Sequence, residues 1–474
     1  MASTNLPTDP EGLTGKLCSW VHDVKLEDIP GDVQTRAKYL ILDGVACALV
    51  GAHLPWSEKA ANGIFEMEPP GDCVVFGWDR KISPLSAALL NSTFIQGFEL
   101  DDWHSEAPMH LNSIILPALF SAATKAKSTV NGASFLLAYL VGLEVGPRVG
   151  NALYGSHMLS VGWHSGAVFG PPASSTAVSK LLDLPANLIE DAVGIACTQA
   201  GGLMSAQYES EVKRMQHGFA ARNGLFGALM ARSGYVGIKK ALERPYGGYL
   251  ATFGKGTGRD PPYLLDEVTK GLGSTWKTHA VRVKPYAAMA GTHGTIDCIR
   301  KLQEDYPDRM KDLASITSIK YEMAEAAFHH GGWKAKRPIT STGAQMNNAY
   351  VAATQMVDQR VLPAEFGQDK LDRDLVWDLV NKSTCQQNNE FTWDQKATIT
   401  FKDKQILTTI VKAPRGVNPA LSNEEIVDKW RHLTIDIIDD GKRSKIEDVI
   451  MNLELVENVL ELAQLLSGVT GHAL

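Results

Sequence analysis

The 474-residue chain carries a formal charge of −7 and is 44% apolar and 21% charged, which excludes a disordered or collagenous chain and a broad surface for nucleic acid or anionic membrane. Its length predicts two or three domains, or one large domain with an insertion. Six cysteines, Cys18, Cys47, Cys73, Cys197, Cys298 and Cys385, lie far apart with no CxxC pair, and read as buried thiols of a reducing compartment.

The opening MASTNLPTDPEGLTGKLCSW holds no apolar run of signal-peptide length and is too acidic and proline-rich for a transit peptide, so the expected setting is cytoplasmic. Between residues 31 and 52, Val33, Ala37, Leu40, Ile41, Val45, Ala48 and Leu49 recur at three- and four-residue spacings, which predicts an amphipathic helix with Asp32 as N-cap. The same period returns in PLSAALLNSTFIQGFEL, SIILPALFSAATKA, SFLLAYLVGLEVG, GPPASSTAVSKLLDL and FAARNGLFGALMARSG. Gly, Pro or Asn breaks part these runs, and none is long enough to span a membrane. Residues 1–275 are therefore expected to be mainly helical. From about residue 276 the texture changes: SITSIKYEM and KATITFKDKQILTTIV show β-branched alternation, the second broken at Lys402 to Gln405 as in a hairpin. A smaller α+β domain over 276–418 is the expectation. After APRGVNP, Ser422 and Glu425 spell a capping box and IEDVIMNLELVENVLELAQLL reads as helix, so 419–474 returns to helical texture.

Several chemistries find no support. There is no GxxxxGK[ST], and GKGTG at Gly254 lacks a preceding strand and a following helix. GWHSG at 162–166 puts His164 where a nucleophile elbow needs serine. The stretch ELDDWHSEAPMH, 99–110, offers Asp101, Asp102 and His104 as metal ligands but not at HExxH spacing, so no metal is expected; alone it reads as a solvated acidic loop. In EVKRMQHGFAARNG, Lys213, Gln216 and His217 stand at i, i+3 and i+4, one helical face beside the small residues Gly218, Ala221 and Gly224. The plainer reading is a solvated lysine and a packed histidine. Lys284 and Tyr286 in VKPYAAMAGTH, and His330 and Arg337 in FHHGGWKAKRP, add cationic or hydrogen-bonding candidates, each by itself better explained by structure than by catalysis.

Taken together, LILDGVACALVGA, ELDDWHSEAPMH, GWHSGAVFGPPASS, GIACTQAGGLMSAQY, VKRMQHGFAARNG and KRPITS…NNAYVAA resemble the MmgE/PrpD family, its fungal decarboxylase branch above all. The resemblance implies a large all-helical domain built from 1–275 and 419–474, an inserted lid domain, and a homodimer. It implies cofactor-free, metal-free decarboxylation of cis-aconitate, the alternative being dehydration of 2-methylcitrate or a related alkylcitrate. Family positions fall on Asp101, Asp102, His110, His164 and Lys213 as catalytic residues. His104, Gln216, His217, Lys284, Tyr286, His330 and Arg337 are the expected substrate-binding set. The sequence departs from the pattern where Leu111 and Asn112 follow the loop histidine, where Trp103 replaces a Thr of the animal relatives, where Met289 replaces a lid histidine, and where Glu99 replaces an Asp. The choice between His104 and His110 stays open at this level.

Such a substrate explains the residue types. A β,γ-unsaturated tricarboxylate is its own electron sink, so the protein must clamp the retained carboxylates and supply an acid to the far carbon. His110 is the expected proton donor, with Asp101 and Asp102 orienting the histidines and favouring their charged forms.

Overall fold

The computed structural model describes residues 5–474, so the first four residues of the stretch read for a leader lie outside it. The protein is mainly helical with small sheets. At its centre the helix Leu111–Thr124 is buried at every residue from Leu111 to Ala123, a helix apolar all round and therefore enclosed on all sides. Around it pack Gly31–Gly51, Pro84–Ile95, Gly132–Ala152, Ser165–Leu181 and Gln216–Arg232. Small residues set how closely they approach. A Cβ on Gly224 would meet Ser174 Cβ at 2.3 Å, and one on Gly218 would meet the Leu89 carbonyl at 2.6 Å, so both positions exclude any larger residue.

The first 275 residues also contain three two-residue strands that periodicity does not reveal: β1 (Cys73–Val74), β2 (Lys81–Ile82) and β3 (Trp103–His104). β3 pairs antiparallel with β4 (Val281–Arg282), tying the acidic loop to the following segment. Next come β5 (Ile316–Met323), β6 (Ser383–Gln387), β7 (Gln395–Phe401) and β8 (Ile406–Val411), in the order β6-β5-β7-β8. β5 and β6 are parallel and the other pairs antiparallel. β7 alternates buried and half-buried residues along its length, and the helix His293–Asp305 covers that face.

The expected capping box forms, Ser422 accepting from the Glu425 N–H and Glu425 from that of Ser422. Asp32, however, lies in the first turn of its helix, whose N-cap is Pro30. The expected C-terminal helix breaks into Asp440–Met451 and Leu460–Leu465. The intervening chain instead pairs with residues 130–132 through Gly132 N–H to Val456 O and Val459 N–H to Val130 O. Lys429 reaches across to Asp43 at 2.5 Å and to the Leu100 carbonyl at 2.6 Å, so the C-terminal helices rejoin the N-terminal ones directly behind the acidic loop. Among the described residues no single helix is long and apolar enough to cross a membrane.

Candidate active site

Two buried helices begin at one cavity, and each begins on a histidine. His110 is the N-cap of Leu111–Thr124, and His164 that of Ser165–Leu181, its Nδ1 accepting from the Ala167 N–H at 3.3 Å. Helix N-termini carry partial positive charge, so this end of both helices favours an anion. The acidic pair divides its work. Asp101 accepts from His110 Nδ1 at 2.9 Å, whereas Asp102 accepts from the Leu111 and Asn112 N–H groups at 3.1 and 3.0 Å. Only Asp101 orients a histidine; Asp102 caps a helix.

The cavity measures 460 Å³ and is lined by His110, His164, His217, His330, Lys213 and Lys284, with Glu99, Met289, Trp103 and Trp393. The His217 ring lies 4.7 Å from that of His110 and 4.8 Å from that of His164. The Gln96 amide, turned so that both its ends are satisfied, donates to His217 Nδ1 at 3.2 Å and accepts from Lys213 Nζ at 3.1 Å. Neutral His217 therefore carries its proton on Nε2, which has no partner within the protein, and the same reasoning puts the His164 proton on Nε2. His217 fits only because residue 166 is glycine: a Cβ there would lie 1.9 Å from Nε2. Across the cavity Trp103, in β3, meets Trp393, in the loop between β6 and β7, with ring centroids 5.3 Å apart.

Glu99 organises the charge. Held in the left-handed region at φ 54°, it receives Lys213 at 2.7 Å, Arg214 at 2.9 Å and Lys284 at 2.9 Å, every member buried. Burial pushes the Glu99 carboxyl up, but Lys213, Lys284 and Arg214 together hold it well below the usual carboxylate range. One carboxylate against three cations leaves two positive charges, which an anionic ligand would balance.

Burial lowers His110 from its ordinary 6.5 despite Asp101, and lowers His164 and His217 much further. Asp101 does favour the charged form of His110, as expected of the acidic pair, but burial outweighs it. Burial, Asp101 and Asp43 likewise push the Asp102 carboxyl well above its usual range.

Other expected residues face elsewhere. His104 is buried at the end of β3, its Nδ1 accepting from the Glu106 and Ala107 N–H groups and its Nε2 donating to Lys277 O, and burial drops it to about 3. Gln216 donates to Leu203 O, and Tyr286 bonds Asp297 and Arg300. Arg337 is partly exposed and paired with Asp372 and Asp374. None of these four lines the cavity. Lys213 precedes its helix instead of riding on it, since Glu211–Arg214 is a single 3-10 turn and the helix starts at Gln216. Sequence reasoning missed Arg214 and Gln96, and omitted Glu99 from the site although it opens the acidic stretch.

The MmgE/PrpD N-terminal domain matches residues 15–259 and the MmgE/PrpD C-terminal domain residues 286–455. The cis-aconitate decarboxylase-like protein oryM of Aspergillus oryzae is 50% identical over 473 residues, covering 97% of this chain and 98% of its own. The cis-aconitate decarboxylase of Aspergillus terreus is 47% identical, covering 96% of each chain. The human protein of that name is 24% identical over 97% of this chain and 95% of its own. With both domains present in order and identity running through the whole length, the chain belongs to the MmgE/PrpD family.

Proposed function

We propose that the protein decarboxylates cis-aconitate to itaconate and carbon dioxide, using no metal or organic cofactor. The observation that carries this reading is the cavity in which Lys213 and Lys284, held with Arg214 on the single carboxylate of Glu99, face the imidazoles of His110, His164 and His217. It is supported by whole-length similarity to Aspergillus proteins of that name.

Lys213, Lys284 and the N-terminus of Ser165–Leu181 hold the retained carboxylates. His164 and His217, neutral and protonated on Nε2, donate hydrogen bonds without adding charge. The bond to the departing carboxylate breaks, and its electron pair forms the new double bond to the central carbon. The old alkene pair moves to the far carbon, which takes a proton from His110 Nε2. Bound carboxylates raise the His110 pKa against the effect of burial, so substrate itself helps charge the acid. Water then restores the proton. The protein works as a cytoplasmic homodimer on this reading, which sedimentation and cell fractionation test.

Turnover of cis-aconitate in heavy water is the decisive experiment. Carbon dioxide and itaconate with one deuterium on its saturated methylene are expected. A hydrated tricarboxylate with no five-carbon diacid would overturn the decarboxylase in favour of a dehydratase acting on an alkylcitrate.

A further inference from the structure

A second cluster of ligand-type side chains lies on another face of the molecule, where the chain's C-terminal tail crosses the start of the helix Pro55–Met67. His53 Nδ1 is 3.3 Å from Glu58 Oε1, His472 Nδ1 is 3.9 Å from the same oxygen, and the ligand atoms of the three residues all lie within 4.8 Å of one another.

The tautomer of His53 is fixed. Its Nε2 lies 2.8 Å from the Gly77 carbonyl oxygen, which can only accept, so Nε2 carries the proton. The Nδ1 lone pair of the neutral ring is then aimed at a carboxylate oxygen, and two acceptors in contact require either a second ring proton or a cation between them. A backbone carbonyl holding the far nitrogen is also the arrangement that orients metal-binding histidines.

The backbone around the cluster is pinned. His53 is buried and stacks on Trp78 with centroids 4.5 Å apart. The Glu58 N–H donates to Leu54 O in the first helical turn, and the tail is held by the Thr470 N–H on Gly77 O and the Gly471 N–H on Ile437 O. Two ligands bonded to one zinc ion at about 2.0–2.1 Å with tetrahedral angles stand roughly 3.3 Å apart. That is the spacing His53 and Glu58 already have. His472, with its side chain 60% exposed, is free to close the remaining gap while solvent completes the coordination.

We propose that His53, Glu58 and His472 bind one divalent transition-metal ion of the zinc class, as a clip that fastens the C-terminal tail to the helical body. The site takes no part in the proposed reaction, since none of the three residues lines the cavity.

The test is calorimetric titration of metal-stripped protein with zinc chloride alone, alongside His472→Ala and Glu58→Gln. One ion per chain is expected, with affinity at least tenfold weaker in each variant. Zinc should raise the Tm of the parent and not of His472→Ala, while turnover of cis-aconitate by that variant stays at the parent level. Failure of the metal-stripped parent to bind zinc would overturn the clip. Equal zinc binding by parent and His472→Ala would overturn it too, placing the metal elsewhere.

Discussion

His110 and His104 stand six residues apart in one acidic loop and meet opposite surroundings. His110 has one nitrogen on Asp101 and lines the cavity, whereas His104 has both nitrogens engaged by backbone. His110→Ala is therefore expected to abolish turnover with little change in Tm, and His104→Ala to lower Tm while leaving a substantial kcat; steady-state kinetics with thermal melts distinguish the two. Lys213→Ala leaves Glu99 still paired with Arg214 and Lys284, so the variant should fold. Its kcat/KM should fall by about 2–5 kcal/mol of lost carboxylate binding, measured on protein whose circular dichroism matches the parent. Because burial holds His110, His164 and His217 below 6.5, the unfolded chain binds more protons than the folded one as pH drops below that value. Stability then falls with pH in that window, while a protonated His110 makes kcat/KM rise. A pH series of melts and of initial rates should show these opposite slopes below pH 6.5.

At the scale of elements, the helices were legible because burial of one face imprints a 3.6-residue period, and the β7–β8 hairpin because alternation and a polar break coincide. What escaped was set by partners distant in sequence. Nothing local announces that residues 456–459 will pair with 130–132, or that Lys429 will meet Asp43. Glu99 was overlooked for a physical reason: a carboxylate beside an anion site looks repulsive until the three cations it holds are seen. Arg337 was chosen for its charge, and sequence does not reveal that Asp372 and Asp374 absorb that charge at the surface. Residues 276–418 are read as a lid, with β3–β4 pairing at one junction. Hydrogen exchange near 276–284 and 412–418 should slow when a tricarboxylate analogue binds; unchanged protection would count against closure.

For the whole molecule, the chemistry proposed draws its electron sink from the substrate, and the proposed metal clip lies outside the cavity. Exhaustive chelation should therefore leave the rate of carbon dioxide release intact while lowering Tm if the tail clip is loaded; a rate lost to chelation and restored by one divalent ion would require a different mechanism. The contact of Trp103 with Trp393 bears on the same whole-molecule question. One indole belongs to the acidic loop and the other to the sheet segment, and both line the cavity. Rings 5.3 Å apart share excitation, so the protein carries its own spectroscopic gauge of how the sheet segment sits against the acidic loop. Any motion that parts them would alter the near-ultraviolet exciton signal and the indole emission together, with no dye attached.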